Sequence, residues 1–233
     1  MKLNNLALSV AGAALTLALE AHADTVQGFD ISNHQGSVDF AAAYNAGARF
    51  VMIKSSEGTS YSDPSFSSHY TGATDAGFIR GGYHFALPDA SSAADQVSYF
   101  ISHGGGWSKD GITLPGMLDI EYNPYGDTCY GLSASDMVAW IQEFVDEYHS
   151  ATGVYPMLYT TADWWSTCTG NASGFGDKCP LVLAAYSSSA PSTIPGDWAT
   201  YTMWQNSDSY EYGGDSDIFN GPFESLQKIA NAA

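Results

Sequence analysis

The feature that most limits what this chain can fold into is an alternation. Short runs rich in apolar, β-branched and aromatic residues recur along it, and a helical pattern fills most of the early gaps between them. The runs cover residues 26–32, 50–55, 79–87, 113–122, 154–161, 181–187, 200–206 and 216–220, giving eight candidate strands. Phe50-Val51-Met52-Ile53 and Leu181-Val182-Leu183-Ala184-Ala185 are apolar on both faces, as strands of a parallel sheet covered on both sides must be. Helical patterns cover 38–48, 64–76, 91–103 and 133–152, with shorter ones at 162–167 and 223–231. The 133–152 segment is the clearest. Ser133 stands at its cap, Asp136 follows three residues on, and Met137, Ile141, Phe144, Val145 and Tyr148 share one face. Strand followed by helix, repeated, implies βαβ units. Beyond the sixth strand the helices largely vanish, so the expected fold is α/β, a modified TIM-like barrel of the form (β/α)5(β)3 in a single domain.

The first 23 residues differ in kind: Lys2, an uncharged and mostly apolar run over 6–19, then Ala21-His22-Ala23. This pattern reads as a signal peptide with an A-x-A cleavage site, and the run is short for a membrane span. The expected organisation is a signal peptide at 1–23 and a catalytic barrel domain at 24–233, secreted to the extracellular space and monomeric. Export puts the three cysteines in an oxidising compartment. Cys168 and Cys179 flank a Gly/Ser/Asn-rich stretch that a staple would help to order, so this pair is expected to bridge and Cys129 to stay free. Asn171-Ala172-Ser173 is a glycosylation sequon. Seven Lys and Arg against 25 Asp and Glu leave a formal charge of −18. A chain so poor in cations is unsuited to nucleic acid, whose phosphates need basic side chains, and no membrane partner is expected of the mature domain.

In a β/α barrel the reactive groups stand at the C-terminal ends of the strands. Taken in order, those ends offer Asp30, Lys54 and Glu57, Tyr83-His84-Phe85, Asp119 and Glu121, Tyr159, Tyr186, Trp204-Gln205, and Asp217. The sharpest element is Leu118-Asp119-Ile120-Glu121-Tyr122. Strand residues two apart face the same way with a rise of about 6.6 Å, so both carboxylates would enter one barrel mouth. A protonated carboxyl beside an ionised one is what glycoside hydrolysis requires, and crowding pushes two such pKa values apart. A bare D-x-E can equally cap a helix or bind a cation. Here it is accompanied by further strand-end carboxylates and by rings that suit the C–H faces of sugars. His34, His69, His84, His103 and His149 show no H-x-H or H-E-x-x-H spacing, so no metal is expected. There is no G-x-S-x-G elbow, G-x-G-x-x-G or P-loop, so neither serine-hydrolase chemistry nor a nucleotide cofactor is expected.

Gly28-Phe29-Asp30-Ile31-Ser32-Asn33-His34-Gln35-Gly36, Ile53-Lys54-Ser55-Ser56-Glu57-Gly58-Thr59, Gly82-Tyr83-His84-Phe85, the Asp119/Glu121 pair and Asp217 ahead of Phe219-Asn220-Gly221 together resemble the Chalaropsis-type lysozymes, glycoside hydrolase family 25, and the secreted fungal members in particular. Ser56 stands where many relatives carry Thr. The resemblance implies a barrel of five β/α units and three further strands. It also implies cleavage of the β-1,4 bond after N-acetylmuramic acid in bacterial peptidoglycan, the expected partner. By that resemblance Glu121 is the general acid. Asp119 orients the 2-acetamido group, whose carbonyl oxygen attacks the anomeric carbon, or acts on that carbon directly. Asp30 and Asp217 complete an acidic ring, and Lys54, Glu57, Tyr83, Tyr159 and Trp204 are implied as substrate-binding residues. The alternatives are a chitinase or other N-acetylhexosaminidase, which would share acetamido-assisted chemistry, and a non-catalytic sugar-binding barrel.

Overall fold

The computed structural model describes residues 25–232; the expected signal segment, 1–23, lies outside them. The elements run β1 (Val26–Ile31), α1 (Phe40–Asn45), β2 (Phe50–Glu57), β3 (Tyr61–Ser62), α2 (Phe66–Asp75), β4 (Ile79–Phe85), α3 (Ala93–Phe100), β5 (Met117–Asp119), α4 (Ala134–Thr152), β6 (Met157–Thr161), α5 (Ala162–Thr169), β7 (Leu181–Ala184), β8 (Met203–Ser207), β9 (Asp215–Phe219) and α6 (Phe223–Ala230). All eight expected strands and all six expected helices are present, most with trimmed ends, although β2 and α5 run two residues further than expected. The short β3, which pairs antiparallel with the end of β2, was not expected. The 113–122 run shrinks to Met117–Asp119; Thr113 pairs with Arg80 as an isolated bridge, and Pro115, which has no N–H, interrupts the ladder between the two.

The strands hydrogen-bond in the order β1-β9-β8-β7-β6-β5-β4-β2, and β1 pairs with β2 to close the barrel. Five β/α units followed by three plain strands match the expected form. Neighbours from β1 through β2, β4, β5, β6, β7 and β8 are parallel, whereas β9 is antiparallel to both β8 and β1. The reason is length: residues 208–214 join β8 to β9, and so short a link can make a hairpin but not a crossover.

Alternation along the strands divides the core. Val26, Phe50, Met52, Ile79, Met117, Met157, Val182, Met203 and Phe219 fill the barrel interior, and Leu226 and Ala230 of α6 close its lower end. Outward-facing Phe29, Ile31, Val51 and Ile53 pack under α1 and α2. Leu118, Leu158, Leu181 and Leu183 pack against α3, α4 and α5. The longest helix, α4, begins where the Ser133 hydroxyl accepts from the Asp136 N–H and ends at Gly153 in the left-handed conformation.

The cysteine pairing differs from expectation. Cys129 bridges Cys168, with Cα atoms 5.3 Å apart, and Cys179 is free and buried. The β5–α4 loop folds back over α5, where the Trp164 indole N–H donates to the Thr128 carbonyl at 3.4 Å, and this places Cys129 on the helix. The stretch after Cys168 is ordered without a staple. Asp197 accepts from the N–H groups of Gly174 and Gly176 at 2.8 and 3.0 Å, and Asn171 accepts from that of Gly196 at 2.7 Å. Burial pushes the Cys179 thiol up to about 12, which makes it unreactive. A non-reduced digest is expected to yield a Cys129–Cys168 peptide, with Cys179 alkylated only after unfolding. Cys129→Ser should cost about 2–4 kcal/mol in denaturant unfolding, whereas a Cys168–Cys179 peptide would refute the pairing.

Candidate active site

The C-terminal ends of the parallel strands and the N-terminal end of β9 meet at one mouth. Inward-facing Asp30, Tyr83, Met117, Asp119, Glu121, Tyr159, Gln205 and Asp215 line a cavity of about 100 Å³ there. A second compartment of about 280 Å³ adjoins it, lined by Glu121, Tyr122, Tyr159, Thr161, Ala184, Ala185 and Tyr186. Glu121 and Tyr159 belong to both. The cleft is therefore a carboxylate-rich half and a tyrosine-rich half with Glu121 between them.

One of the expected site residues faces away from the mouth, and another sits deeper in the acidic cluster than its rim. Asp217, expected in the acidic ring, is buried just below the rim beside Gly28 and Gln205, where its carboxyl meets that of Asp30, and Asp215, the ladder partner of Asp30 on β9, joins the cluster at the rim. Because β9 runs antiparallel, its mouth end is its first residue and not its last. Trp204, expected to bind substrate, shares the outer face of the barrel with Leu183 and donates its indole N–H to the Ala185 carbonyl at 2.7 Å. Its neighbour Gln205 is the inward residue. His84, also outward, lies between Ser56 Oγ at 2.9 Å and Gln96 Oε1 at 2.9 Å and packs near Phe100 and Phe144. Burial pushes this imidazole down to about 4, so it joins β2, β4 and α3 as a neutral ring.

The mouth is held by a hydrogen-bond network centred on Gln205. Its Nε2 donates to Asp30 Oδ2 at 2.7 Å, and its Oε1 accepts from the hydroxyls of Tyr159 at 2.8 Å and Tyr186 at 3.1 Å. Asp30 is also pressed by the β8–β9 turn. Gly214 has φ +73, and a Cβ there would lie 1.8 Å from the Asp30 carbonyl oxygen, so only glycine fits. Lys54 and Glu57 stand beside the cavity as an ion pair at 2.6 Å, and Glu57 also accepts from the Tyr125 hydroxyl at 2.6 Å. The Lys54 ammonium lies 5.5 Å from the Tyr61 ring centre and 5.0 Å from that of Phe85. The sequon residue Asn171 is exposed on the turn after α5, away from the mouth.

Crowding carboxylates in a closed mouth raises their pKa values. Burial first, and then the charge of Asp215, push Asp30 to about 7. The same two causes in the same order push Glu121 to about 7, with Lys54 opposing. Asp119 is raised well above the carboxylate range by burial and then by Glu121, again with Lys54 opposing. Asp217 is raised well above it by burial, then by Asp30 and Asp215. The cluster thus retains protons near neutrality, and Asp119 Oδ1 is buried with no hydrogen-bond partner among the described residues. A proton donor and an unfilled acceptor on one strand end are the parts needed for acid catalysis at an acetal. Asp215 escaped the strand-end reading, although Asp215-Ser216-Asp217 has the same two-residue spacing as Asp119-Ile120-Glu121.

A family model described as Glycosyl hydrolases family 25 matches residues 29–215. The chain belongs to glycosyl hydrolase family 25. It is 61% identical over 209 residues to the N,O-diacetylmuramidase of Chalaropsis sp, covering 88% of this chain and 99% of that protein. It is 48% identical over 216 residues to lysozyme M1 of Streptomyces globisporus, covering 90% of this chain and 73% of that protein. Among solved structures, a family GH25 lysozyme from Aspergillus fumigatus matches with a TM-score of 0.88 at 71% identity, covering 88% of this chain and 99% of that one. As a family 25 member the chain is a glycoside hydrolase.

The raised carboxyls make stability depend on pH. Asp30 and Glu121 sit at about 7 when folded, against ordinary values of 3.8 and 4.5, so over that interval the folded state binds more protons than the unfolded. The stability they contribute is complete below the ordinary values and is lost as pH rises through about 7. Unfolding followed from about pH 5 to pH 8 should show a loss of a few kcal/mol, and Asp30→Asn should remove part of that slope. A flat or rising profile over this range would contradict the assignment.

Proposed function

We propose that this family 25 enzyme is a secreted N-acetylmuramidase hydrolysing the β-1,4 bond between N-acetylmuramic acid and N-acetylglucosamine in bacterial peptidoglycan. The carrying observation is the Asp119/Glu121 pair: an unfilled buried acceptor on Asp119 and a carboxyl held near 7 on Glu121, the one carboxylate shared by both halves of the cleft. The relatives named muramidase and lysozyme support this choice of sugar over chitin.

In this reading Asp119 accepts the N–H of the 2-acetamido group through its open oxygen. A donor there favours the ionised form of Asp119, and the repulsion between neighbouring carboxylates then leaves the proton on Glu121. The acetamido carbonyl oxygen bonds to the anomeric carbon as the glycosidic C–O bond breaks. The electron pair of that bond goes to the leaving oxygen, which takes the Glu121 proton. Water then attacks the anomeric carbon, reopens the acetamide and returns a proton to Glu121. Such substrate assistance is one of the known departures from the two-carboxylate scheme. Asp30 and Asp215 supply negative charge beside the developing cation, and Gln205 fixes Asp30. Asp217 supports them from below, and Lys54 with Glu57, Tyr83 and Tyr159 shape the substrate's surroundings.

Among the described residues no helix is long and apolar enough to cross a membrane. Export by a signal peptide at 1–23, a catalytic domain at 24–233, glycosylation of Asn171 and a monomeric state complete the proposal. Mass spectrometry of fragments released from purified peptidoglycan tests its core. Wild type should release fragments with muramic acid at the reducing end, and Glu121→Gln should lose about 10³-fold or more in rate. Fragments ending in reducing N-acetylglucosamine would move the cleavage to the other bond.

A further inference from the structure

The two halves of the cleft differ in a way that orients the substrate across it. The first holds Asp30, Asp119 and Asp215 besides Glu121, whereas Glu121 alone among the lining residues of the second carries a charge. Positive charge develops at the anomeric carbon of the sugar that is cut from its neighbour, and fixed carboxylates beside it lower that barrier. The sugar on the leaving side needs only a proton on its oxygen and a surface to rest on.

The second half offers such a surface. Tyr122 and Tyr186 are 39% and 57% exposed, among the few large hydrophobic side chains left in water. Both are fixed through their hydroxyls: Tyr122 donates to Asp163, and Tyr186 donates to Gln205 at 3.1 Å. A ring anchored at its hydroxyl presents its face without further loss of side-chain freedom, which is how an aromatic platform favours binding. The Ala184-Ala185 backbone and small side chains leave room between the two rings. At about 280 Å³ this half is the roomier of the two.

We propose that the tyrosine-lined half holds the neutral amino sugar on the leaving side of the scissile bond, with Tyr186 as its platform, so that the muramyl residue occupies the carboxylate-lined half. This rests on the muramidase reading, which already seats the muramyl acetamide on Asp119, and adds the surface that takes the leaving-side sugar and a residue that sets its grip. Tyr186 also touches the same Gln205 oxygen as Tyr159, and Gln205 holds Asp30. The ring contact and the hydrogen bond of Tyr186 therefore have separable effects.

The test compares two substrates in wild type, Tyr186→Ala and Tyr186→Phe. One is a soluble uncrosslinked peptidoglycan glycan, and the other is N-acetylmuramyl β-fluoride, which has no leaving-side sugar. Tyr186→Ala should lose about 10- to 100-fold in kcat/KM on the glycan, at least tenfold more than on the fluoride. Tyr186→Phe, which keeps the ring, should recover most of the glycan activity. Activity on the fluoride also shows that each variant is folded. Equal losses on both substrates would overturn the proposal and place the effect of Tyr186 in the Gln205–Asp30 contact. So would an unchanged rate on the glycan. Failure of the muramidase reading is a distinct result: wild-type protein would then release no muramyl reducing ends from the glycan.

Discussion

Five carboxyl groups, those of Asp30, Asp119, Glu121, Asp215 and Asp217, are held in the upper part of one closed barrel, and the cost of keeping charge there governs the rest of the site. Water would relieve that cost by ionising each group separately. The barrel denies it, so Asp30, Asp119, Glu121 and Asp217 keep protons that they would lose in solution. A carboxyl able to give a proton near neutrality follows from this crowding and needs no metal or cofactor. The price is stability at higher pH, a trade that enzymes commonly make at their working sites.

The fold supplies the crowding through two features. The parallel strands bring Asp30, Asp119 and Glu121 to one end, above an interior filled by Met52, Met117, Met157, Met203 and Phe50 and closed below by α6. The reversed last strand then adds Asp215 at the rim and Asp217 beneath it. A helix after β8 would have allowed a parallel β9 and delivered its other end to the mouth. The tight hairpin, with Gly214 against the Asp30 carbonyl, is therefore part of the site's construction. Gln205, one residue from the outward-facing Trp204, links the acidic half of the mouth to the tyrosine half through its two ends.

Much of this was legible in the sequence because it rests on local periodicity. Runs apolar on both faces identify buried parallel strands, and the two-residue spacing of Asp119 and Glu121 places both in one mouth. The misplacements share a cause, since each depended on a relation that no local pattern records. The antiparallel course of β9 put Asp215 at the rim above Asp217. The parity of β8 exchanged Trp204 for Gln205. The return of the β5–α4 loop over α5 gave Cys168 the distant Cys129 as its partner in place of the nearby Cys179. Tyr186 stood at a strand end in the sequence, but only the Gln205 contact shows what it is joined to.

The central claim is that this carboxyl cluster holds protons at near-neutral pH, and carboxyl ¹³C NMR titration of protein labelled at Asp and Glu side chains measures it directly. Asp30 and Glu121 should titrate around 7, with Asp119 and Asp217 still protonated when the exposed carboxyls have ionised. Substituting Asp215 with Asn should move the Asp30 and Glu121 transitions downward, since its charge raises both. A spectrum in which every carboxyl has ionised by about pH 5, as free side chains do, would contradict the account.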